Sequence, residues 1–366
     1  MRKTLITIKD VAAASGVHAS TVSRALNEET RDMVSKPVAD KVLAVARKLG
    51  YLRNPLASGL RTRRSHTIGV LIPDLTNPVV PPIIRGIERT LAAAGYVAVL
   101  ADSDSDERNA HAIVENLLGR QVDGLILATA YRKDPVVDKC IEHGIPLVLI
   151  NRVVDKVRVA AVVNDDDFGI RLALEHLLGL GHRQIAFVGG PQNTSTGYYR
   201  YLAFLAATKE HGLKIDRSMI VNGKSFSEAE GQSCLSRIID AHGNRFTAVV
   251  AANDLLALGC FDALNARGMR CPDDVSVSGF NHMPFVDRFS PSLTTVHIPH
   301  DELGVQAAKL LLERIRNPED APRTIRLKPS MVLGGSTRKI AAGDAPVREV
   351  RAKAASPAKA RARAVP

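Results

Sequence analysis

Between about residues 66 and 330, short aliphatic runs alternate with amphipathic stretches of helical length, and this alternation constrains the fold most. Eight runs have the character of strands, at 67–72, 97–101, 124–128, 147–150, 161–163, 185–188, 248–251 and 275–279. Helical periodicity separates them near 80–94, 107–119, 134–143, 167–180, 197–211, 228–241, 254–267 and 301–316. Such alternation favours parallel sheets with helices on both faces. Roughly 270 residues exceed what one sheet uses, so we predict an α/β body of two doubly wound subdomains.

Polar residues follow many of the predicted strands. Parallel sheets bind ligands beyond the carboxyl ends of their strands, so two facing subdomains would line a cleft with these side chains. The candidates for binding a small molecule are Asn77, Asp102, Asn151, Arg152, Asp165, Asn253 and Asn281. Each of them has a helix cap or a surface residue as its alternative, and Asp165 and Asn253 are especially well placed as caps.

The net charge of +11 is unevenly distributed along the chain. Residues 1–64 contain 13 Lys and Arg against 5 Asp and Glu, which gives +8, and residues 339–366 contribute a further +5. The residues between these segments are therefore close to neutral. A basic N-terminal segment on a near-neutral body indicates nucleic-acid binding, and a merely basic, soluble surface is the alternative.

Three short helices are predicted over residues 7–50. The first runs from about Ile8 to Ser15, with Thr7 at its N-cap, Asp10 at capping-box spacing and Gly16 just past its end. The second spans about 19–27, and the third starts near Ser35 and ends at Gly50. Small residues between the first two helices, a turn with glycine and an exposed polar face on the second helix predict a helix-turn-helix. A small helical hairpin without a DNA-binding role is the alternative.

The second helix would place its N-terminal residues at base edges in the major groove. There Ala19 can contact a thymine methyl group, Ser20 can donate or accept, and Arg24 can bind a guanine. Hydroxyl and imidazole side chains nearby suit phosphate contacts. The remaining candidate DNA-binding residues of this segment are Thr7, His18, Thr21, Ser23 and Asn27.

With this helix-turn-helix and several motifs further along, the chain resembles the LacI/GalR family of bacterial repressors. The motifs are TIKDVAAASGVHASTVSRALN, KVLAVARKLGY, NPLASGLRTRRSHTIGVLIPDLTNP, VDGLIL, LGHRQIAFVGGP, AANDLLALG, PDDVSVSGF and SPSLTTV, and the likeness covers about residues 6–338. It implies a body similar to periplasmic sugar-binding proteins, with a small-molecule effector between the subdomains. It also implies that Arg200 binds this ligand and that Phe226 forms an aromatic wall.

The resemblance implies a further role for residues 54–64. In the family this linker forms a hinge helix on DNA, and Leu60 falls at the position of a leucine that enters the minor groove. Inserting an apolar side chain between base pairs costs unstacking energy, and the additional contacts that the kinked DNA makes with the protein offset this cost. Arg61 would then lie near phosphates, and an ordinary basic linker is the alternative.

Two departures from the family pattern bear on the ligand. Val79 and Val80 stand where the family often has aromatic rings, and Asn281 stands where it usually has an acidic residue. Fewer rings and one fewer carboxylate, with Arg152 and Arg200 kept, favour a less sugar-like or anionic ligand. A sugar, a sugar acid or another small carboxylate is the predicted effector.

The expected protein is a ligand-responsive repressor that binds a palindromic DNA operator as a homodimer. A small-molecule binding protein or an enzyme built on the α/β body is the alternative, but no nucleophile elbow, Walker A loop or strand-linked GxGxxG occurs. The four cysteines have no zinc-site spacing, and neither a metal nor a cofactor is expected. No apolar run is long enough to span a membrane, and residues 5–8 are too short for a signal peptide, so we expect a cytoplasmic protein that associates with the nucleoid on its operator.

The predicted domains are a helix-turn-helix domain (1–52), a hinge (53–65), an effector-binding and dimerisation domain (66–338) and a disordered basic tail (339–366). The first subdomain would combine about 66–163 with 294–320. The second would combine about 164–293 with 321–338.

Overall fold

The computed structural model describes residues 6–51, 64–156, 158–243 and 245–340. The chain divides into two compact units, Met1–His66 and Thr67–Pro366. Leu60 and Arg61, with most of the predicted hinge and of the predicted basic tail, lie outside the described residues.

The N-terminal unit contains three α-helices in its described part, as the sequence predicts. They are α1 (Ile8–Ser15), α2 (Ala19–Leu26) and α3 (Lys36–Leu49), and a 3-10 turn over Glu28–Met33 joins the last two. Gly16 ends α1 with a φ of +68°, a left-handed conformation that glycine adopts without steric cost. Buried Val11, Val22 and Val42, one from each helix, form the centre of a small core.

The second unit holds two six-stranded sheets. The strands are β1 (Thr67–Ile72), β2 (Val97–Asp102), β3 (Gly124–Leu127), β4 (Leu147–Ile150), β5 (Ala160–Asn164), β6 (Ile185–Gly189), β7 (Ile220–Asn222), β8 (Ala248–Ala251), β9 (Ser276–Asn281), β10 (Thr294–His297), β11 (Thr324–Leu327) and β12 (Ser330–Val332). The first sheet has the order β11-β5-β4-β3-β1-β2 and is parallel throughout. The second has the order β12-β10-β9-β8-β6-β7, with only the β10–β12 pair antiparallel. The predicted doubly wound α/β class is confirmed.

Eight α-helices of this unit connect the strands. They are α4 (Val80–Ala93), α5 (Glu107–Gly119), α6 (Pro135–Glu142), α7 (Asp166–Gly179), α8 (Ser195–Glu210), α9 (Glu228–His242), α10 (Asp254–Asn265) and α11 (His300–Arg316). Alternate residues of the first sheet face different helices: Ile68 and Val70 belong to one buried cluster, and Leu71 belongs to another. This division is expected when a parallel sheet is covered on both faces.

The chain crosses between the sheets at different residues from those predicted. Residues 294–320 are predicted to belong to the first subdomain, but β10 pairs with β9 in the second sheet. Residues 321–338 are predicted to belong to the second subdomain, but β11 pairs with β5 in the first sheet. The four strands that the sequence pattern missed, β7, β10, β11 and β12, have only three or four residues each, and β7, β11 and β12 form or adjoin sheet edges without a buried apolar face.

Two glycines bring α4 and α11 into close contact. A Cβ atom at Gly304 would lie 2.0 Å from the carbonyl oxygen of Ile83, and one at Gly86 would lie 2.3 Å from that of Asp301. Because backbone atoms occupy both positions, any side chain would push the helices apart. This contact fixes α11, which follows one of the crossings, against the first sheet.

Candidate functional site

The N-termini of α1 and α2 are both capped by side chains. The Asp10 carboxylate accepts hydrogen bonds from the backbone N–H and the hydroxyl of Thr7, each at 2.7 Å, and these bonds lower the pKa of Asp10. At α2, the Nδ1 atom of His18 accepts from the backbone N–H of Ser20 at 3.3 Å and lies 2.8 Å from its hydroxyl oxygen. Thr7 and His18 therefore already serve as helix caps, which fixes the start of the two helices.

The solvent-facing side of α2 carries Ser20 and Arg24, and both residues are exposed. Among the described residues the Arg24 guanidinium has no hydrogen-bond or ion-pair partner. An exposed guanidinium on a short helix suits the edge of a guanine in the major groove. Thr7 and His18 are exposed as well. The remaining candidate contacts are half-buried, and these are Ala19, which packs against the core, Thr21, Ser23 and Asn27.

In the second unit, a cavity of about 310 Å³ lies where strands of both sheets end. Parallel α/β sheets bind ligands beyond this edge. The structure brings eight of the ten candidate effector-binding residues together around the cavity: Asn77, Val79, Asn151, Arg152, Arg200, Phe226, Asn253 and Asn281. Asn253 also caps α10, because its side chain accepts from Leu256 N–H at 2.8 Å, and the Asn77 side chain accepts from Val79 N–H at 3.2 Å in the turn before α4.

Asp102 and Asp165 do not line this cavity. The Asp102 carboxylate accepts from the backbone N–H groups of Leu75 and Asp104, each at 2.8 Å, and so supports the loop after β1. The Asp165 carboxylate caps α7 by accepting from Phe168 N–H at 3.1 Å. Both carboxylates thus have hydrogen-bond partners within the fold. Asp165 has the alternative role given for it above, that of a helix cap.

Arg200 is almost completely buried at 2% exposure. Its Nε donates to Asp166 at 2.8 Å, its Nη1 donates to the Ala252 carbonyl oxygen at 2.6 Å, and its guanidinium lies 3.7 Å from the centroid of the Phe280 ring. Its ion pair with Asp166 forms because α7 and α8 pack side by side. Burial raises the pKa of Asp166, and the positive charge of Arg200 opposes that rise.

Arg152 is half-buried and differs from Arg200 in its partners. Its Nη1 lies 3.5 Å from the Thr129 carbonyl oxygen, at the limit of a hydrogen bond, and it forms no ion pair with any described residue. Burial lowers the pKa of Arg152, and the nearby charge of Arg200 acts in the same direction. Because arginine stays protonated in proteins, the cavity contains a positive charge that no carboxylate neutralises.

One wall of the cavity is apolar. Val79, Val80 and Ile83 lie at the start of α4, and Phe226 comes from the loop after β7. A Cβ atom at Gly190 would lie 2.2 Å from the Phe226 ring, so the absence of a side chain there makes room for the ring. An apolar wall with a few convergent polar groups is typical of small-molecule sites.

Several further polar residues that the sequence analysis does not predict line the cavity, among them Tyr131, Thr194, Thr196 and Lys224. Tyr131 follows β3 and the two threonines follow β6, so applying the strand-end rule to those strands would have found them. Lys224 follows β7, which has three residues and no buried pattern by which it could be recognised.

The two sheets' connecting loops also touch directly beside the cavity. The backbone N–H of Arg132 donates to the Asn193 carbonyl oxygen at 2.8 Å, and the Arg132 side chain forms an ion pair with Asp155 at 2.8 Å. The same guanidinium lies over the Tyr198 ring of α8. These contacts join a loop of the first sheet to a helix of the second.

Groups of three or more His, Cys, Asp or Glu side chains arranged for a metal ion do not occur within the described ranges. In the same ranges, every helix is too short or too polar to cross a bilayer.

Known proteins share both units of this chain. Residues 7–54 match bacterial regulatory proteins of the lacI family, and residues 174–337 match a periplasmic binding protein-like domain. The ribose operon repressor of Escherichia coli (strain K12) is 32% identical over 333 residues, which is 91% of this chain and 100% of that protein.

Solved structures agree with this match. The lac repressor dimer bound to operator and the anti-inducer ONPF is 25% identical, with a TM-score of 0.81 over 92% of this chain and 100% of that one. A LacI family regulator from Enterococcus faecium with bound ribose is 32% identical, with a TM-score of 0.66 over 75% of this chain and 100% of that one. The relatives are transcriptional repressors rather than enzymes. The chain belongs to the lacI family of bacterial regulatory proteins.

Proposed function

We propose that this repressor binds a palindromic operator as a homodimer and that a small molecule in the cavity of the second unit controls the binding. The observation that carries the DNA-binding half is the exposed side of α2, where the Arg24 guanidinium has no partner among the described residues. A single short helix covers only a few base pairs, so a two-fold dimer on matching half-sites supplies the specificity.

On the DNA, Ser20 and Arg24 read base edges, and Ala19 contributes its methyl group at the margin of that face. The hydroxyl, amide and imidazole groups around them approach phosphates, and these are Thr7, His18, Thr21, Ser23 and Asn27. Leu60 and Arg61 act in the minor groove, the leucine as a wedge and the arginine at the backbone.

The ligand is a sugar, a sugar acid or a related small carboxylate. Two relatives support this class by their names alone, one a ribose operon repressor and the other a regulator with bound ribose. The polar groups of Asn77, Asn151, Asn253 and Asn281 around the cavity are suited to hydroxyl groups, because each amide both donates and accepts. Val79 and Phe226 would cover the apolar side of the ligand, while Asp102 supports the loop after β1 and Asp165 caps α7.

Control follows from linkage between the two units. A ligand that binds the closed cleft better than the open one stabilises the closed form by its difference in affinity. Subdomain closure then changes the spacing of the two DNA-binding units of the dimer. The protein acts in the cytoplasm, where the chromosome lies, and associates with the nucleoid while it is bound to its operator.

The test is fluorescence anisotropy with DNA from the promoter region upstream of the protein's own gene. We expect specific binding that weakens steeply with salt, because phosphate contacts release counterions, and a shift in affinity when D-ribose or D-ribonate is added. Scrambled DNA of the same length is the control. Equal affinity for both DNAs at every salt concentration would contradict the proposal.

A further inference from the structure

The cavity has more positive charge than its own carboxylates can neutralise. Four charged side chains line it: Asp74, Arg152, Arg200 and Lys224. Arg200 is neutralised from behind the cavity wall by Asp166, at 2.8 Å. Asp74 is the one lining carboxylate among the described residues, which leaves Arg152 and Lys224 with a net excess of one positive charge.

Asp74 does not neutralise the charge of Arg152. Its Oδ1 accepts from the backbone N–H of Thr76 at 2.7 Å and from the Thr76 hydroxyl at 2.6 Å, so it is used within its own loop. Lys224 is exposed at the rim, and its neighbour Glu230 accepts from the Lys224 backbone N–H rather than from its ammonium group.

Both guanidiniums keep unused donors. Arginine has five N–H groups, and the described partners of Arg200 take one from Nε and one from Nη1. Arg152 makes only the long contact to Thr129. Arg152 and Arg200 line the same cavity. A half-buried cation without a counterion is unfavourable until a ligand supplies one.

The remaining strand-end residues do not supply that counterion. The fourth strand is followed by Asn151 and the ninth ends in Asn281, and both are neutral amides that line the cavity. The uncharged polar groups of the lining are hydroxyls and amides of the kind that bind a ligand's hydroxyl groups.

We propose that the effector is a polyhydroxylated monocarboxylate, and that Arg152 determines this specificity by forming an ion pair with the carboxylate. A carboxylate matches a guanidinium in two parallel N–H···O bonds and carries the single negative charge that the cavity lacks. Lys224 strengthens the attraction from the rim. This inference rests on the proposed function, because it names the class of ligand for the same cavity.

The experiment measures ligand binding to the full chain by calorimetry and by thermal shift, without DNA. The probes are three matched pairs: D-ribonate and D-ribose, D-gluconate and D-glucose, D-galactonate and D-galactose. We expect at least one acid to bind at least about tenfold more tightly than its aldose, as one charge-assisted contact implies.

The variant Arg152→Gln should weaken binding of that acid by at least about tenfold more than it weakens binding of the matching aldose. Lys133→Gln, an exposed lysine that does not line the cavity, is the matched control and should bind as the parent does. Thermal unfolding without ligand checks that each variant folds. If Arg152→Gln is unfolded, Arg152→Lys tests the same point, because it keeps the charge but loses the bidentate geometry.

The proposal would be overturned if no acid of the three pairs bound more tightly than its aldose, or if none of the acids bound at all. Equal losses for acid and aldose in Arg152→Gln would assign Arg152 a merely structural role and would also overturn it. A failure of the operator-binding experiment leaves these titrations unaffected, so the two proposals fail separately.

Discussion

The guanidinium carbon of Arg132 lies 3.5 Å from the centroid of the Tyr198 ring, and this contact joins the two subdomains of the α/β body. Arg132 follows β3 of the first sheet, and Tyr198 belongs to α8, which packs on the second. Because Asp155 pairs with the same guanidinium, the side chain is held in position over the ring. The contact can form only when the two subdomains are close beside the cavity.

Replacing Tyr198 by leucine should favour opening of the cleft. A cation–π contact contributes about 0.5–2 kcal/mol, so the backbone amide of Arg132, which donates to Asn193, should exchange its hydrogen about two- to thirtyfold faster. Hydrogen-exchange mass spectrometry of the peptide that contains Arg132 measures this rate. Tyr199→Leu changes the neighbouring exposed ring and is the control. The same acceleration in both variants would show that the Arg132–Tyr198 contact does not hold the cleft.

Arg24→Ala should relax the operator preference at one base position in each half-site. Loss of a bidentate guanine contact costs about 1–3 kcal/mol against the preferred base and little against the others. Binding to a library of operator variants measures the preference at every position. Lys48→Ala removes a charge from the exposed surface of the last turn of α3 and should weaken binding, if at all, equally for all sequences. A uniform loss in Arg24→Ala would place Arg24 at a phosphate instead.

Asp254 should make the free energy of unfolding depend on pH. Burial raises the pKa of Asp254 from 3.8 to about 7 in the folded protein, although Thr295 and the Met283 N–H donate to its carboxylate. Between those values the folded state keeps a proton that the unfolded state has released. The stability that this proton provides is therefore lost as the pH rises through the folded pKa.

Asp254→Asn lacks this proton and should remove the dependence. Urea unfolding at about pH 5 and about pH 7 should show the parent losing stability relative to the variant by up to about 1.4 kcal/mol per pH unit. Asp262→Asn, at an exposed position of the same helix, is the control. A difference between parent and Asp254→Asn that is constant with pH would contradict the assignment.

Gly304→Ala should destabilise the α/β body by at least about 1–3 kcal/mol, because the new methyl group would overlap the Ile83 carbonyl oxygen and force α4 and α11 apart. Thermal or urea unfolding measures the change. Gly119→Ala is the matched control, since a Cβ atom there meets nothing within 4 Å, and it should be neutral or stabilising by up to about 1 kcal/mol. Equal effects would show that the close helix contact does not limit stability.

Local patterns in the sequence were sufficient for the helices and for the long strands. Thr7, Asp10 and Gly16 predict the ends of α1 because capping depends only on residues within a few positions. Strands buried on both faces, such as β4, are visible as uninterrupted aliphatic runs. The edge strand β11 was missed, since its exposed and half-buried residues show no such run and only pairing with β5 makes it a strand.

The ligand site shows the same division. The strand-end rule predicted Asn151, Arg152 and Asn281 as neighbours, because topology brings the carboxyl ends of parallel strands to one edge. The strand-end rule does not show which of these charged side chains already form ion pairs or hydrogen bonds within the protein. Asp102 faces its own loop, and Arg200 pairs with Asp166 rather than with Asp102 or Asp254.

Periodicity, capping and strand ends in the sequence predicted the three N-terminal helices, the α/β class and eight of the ten candidate residues around the cavity. The crossings between the sheets, and the neutralisation of Arg200 but not of Arg152, are visible in the three-dimensional structure alone. Both depend on contacts between residues far apart in the chain, which local sequence patterns do not predict.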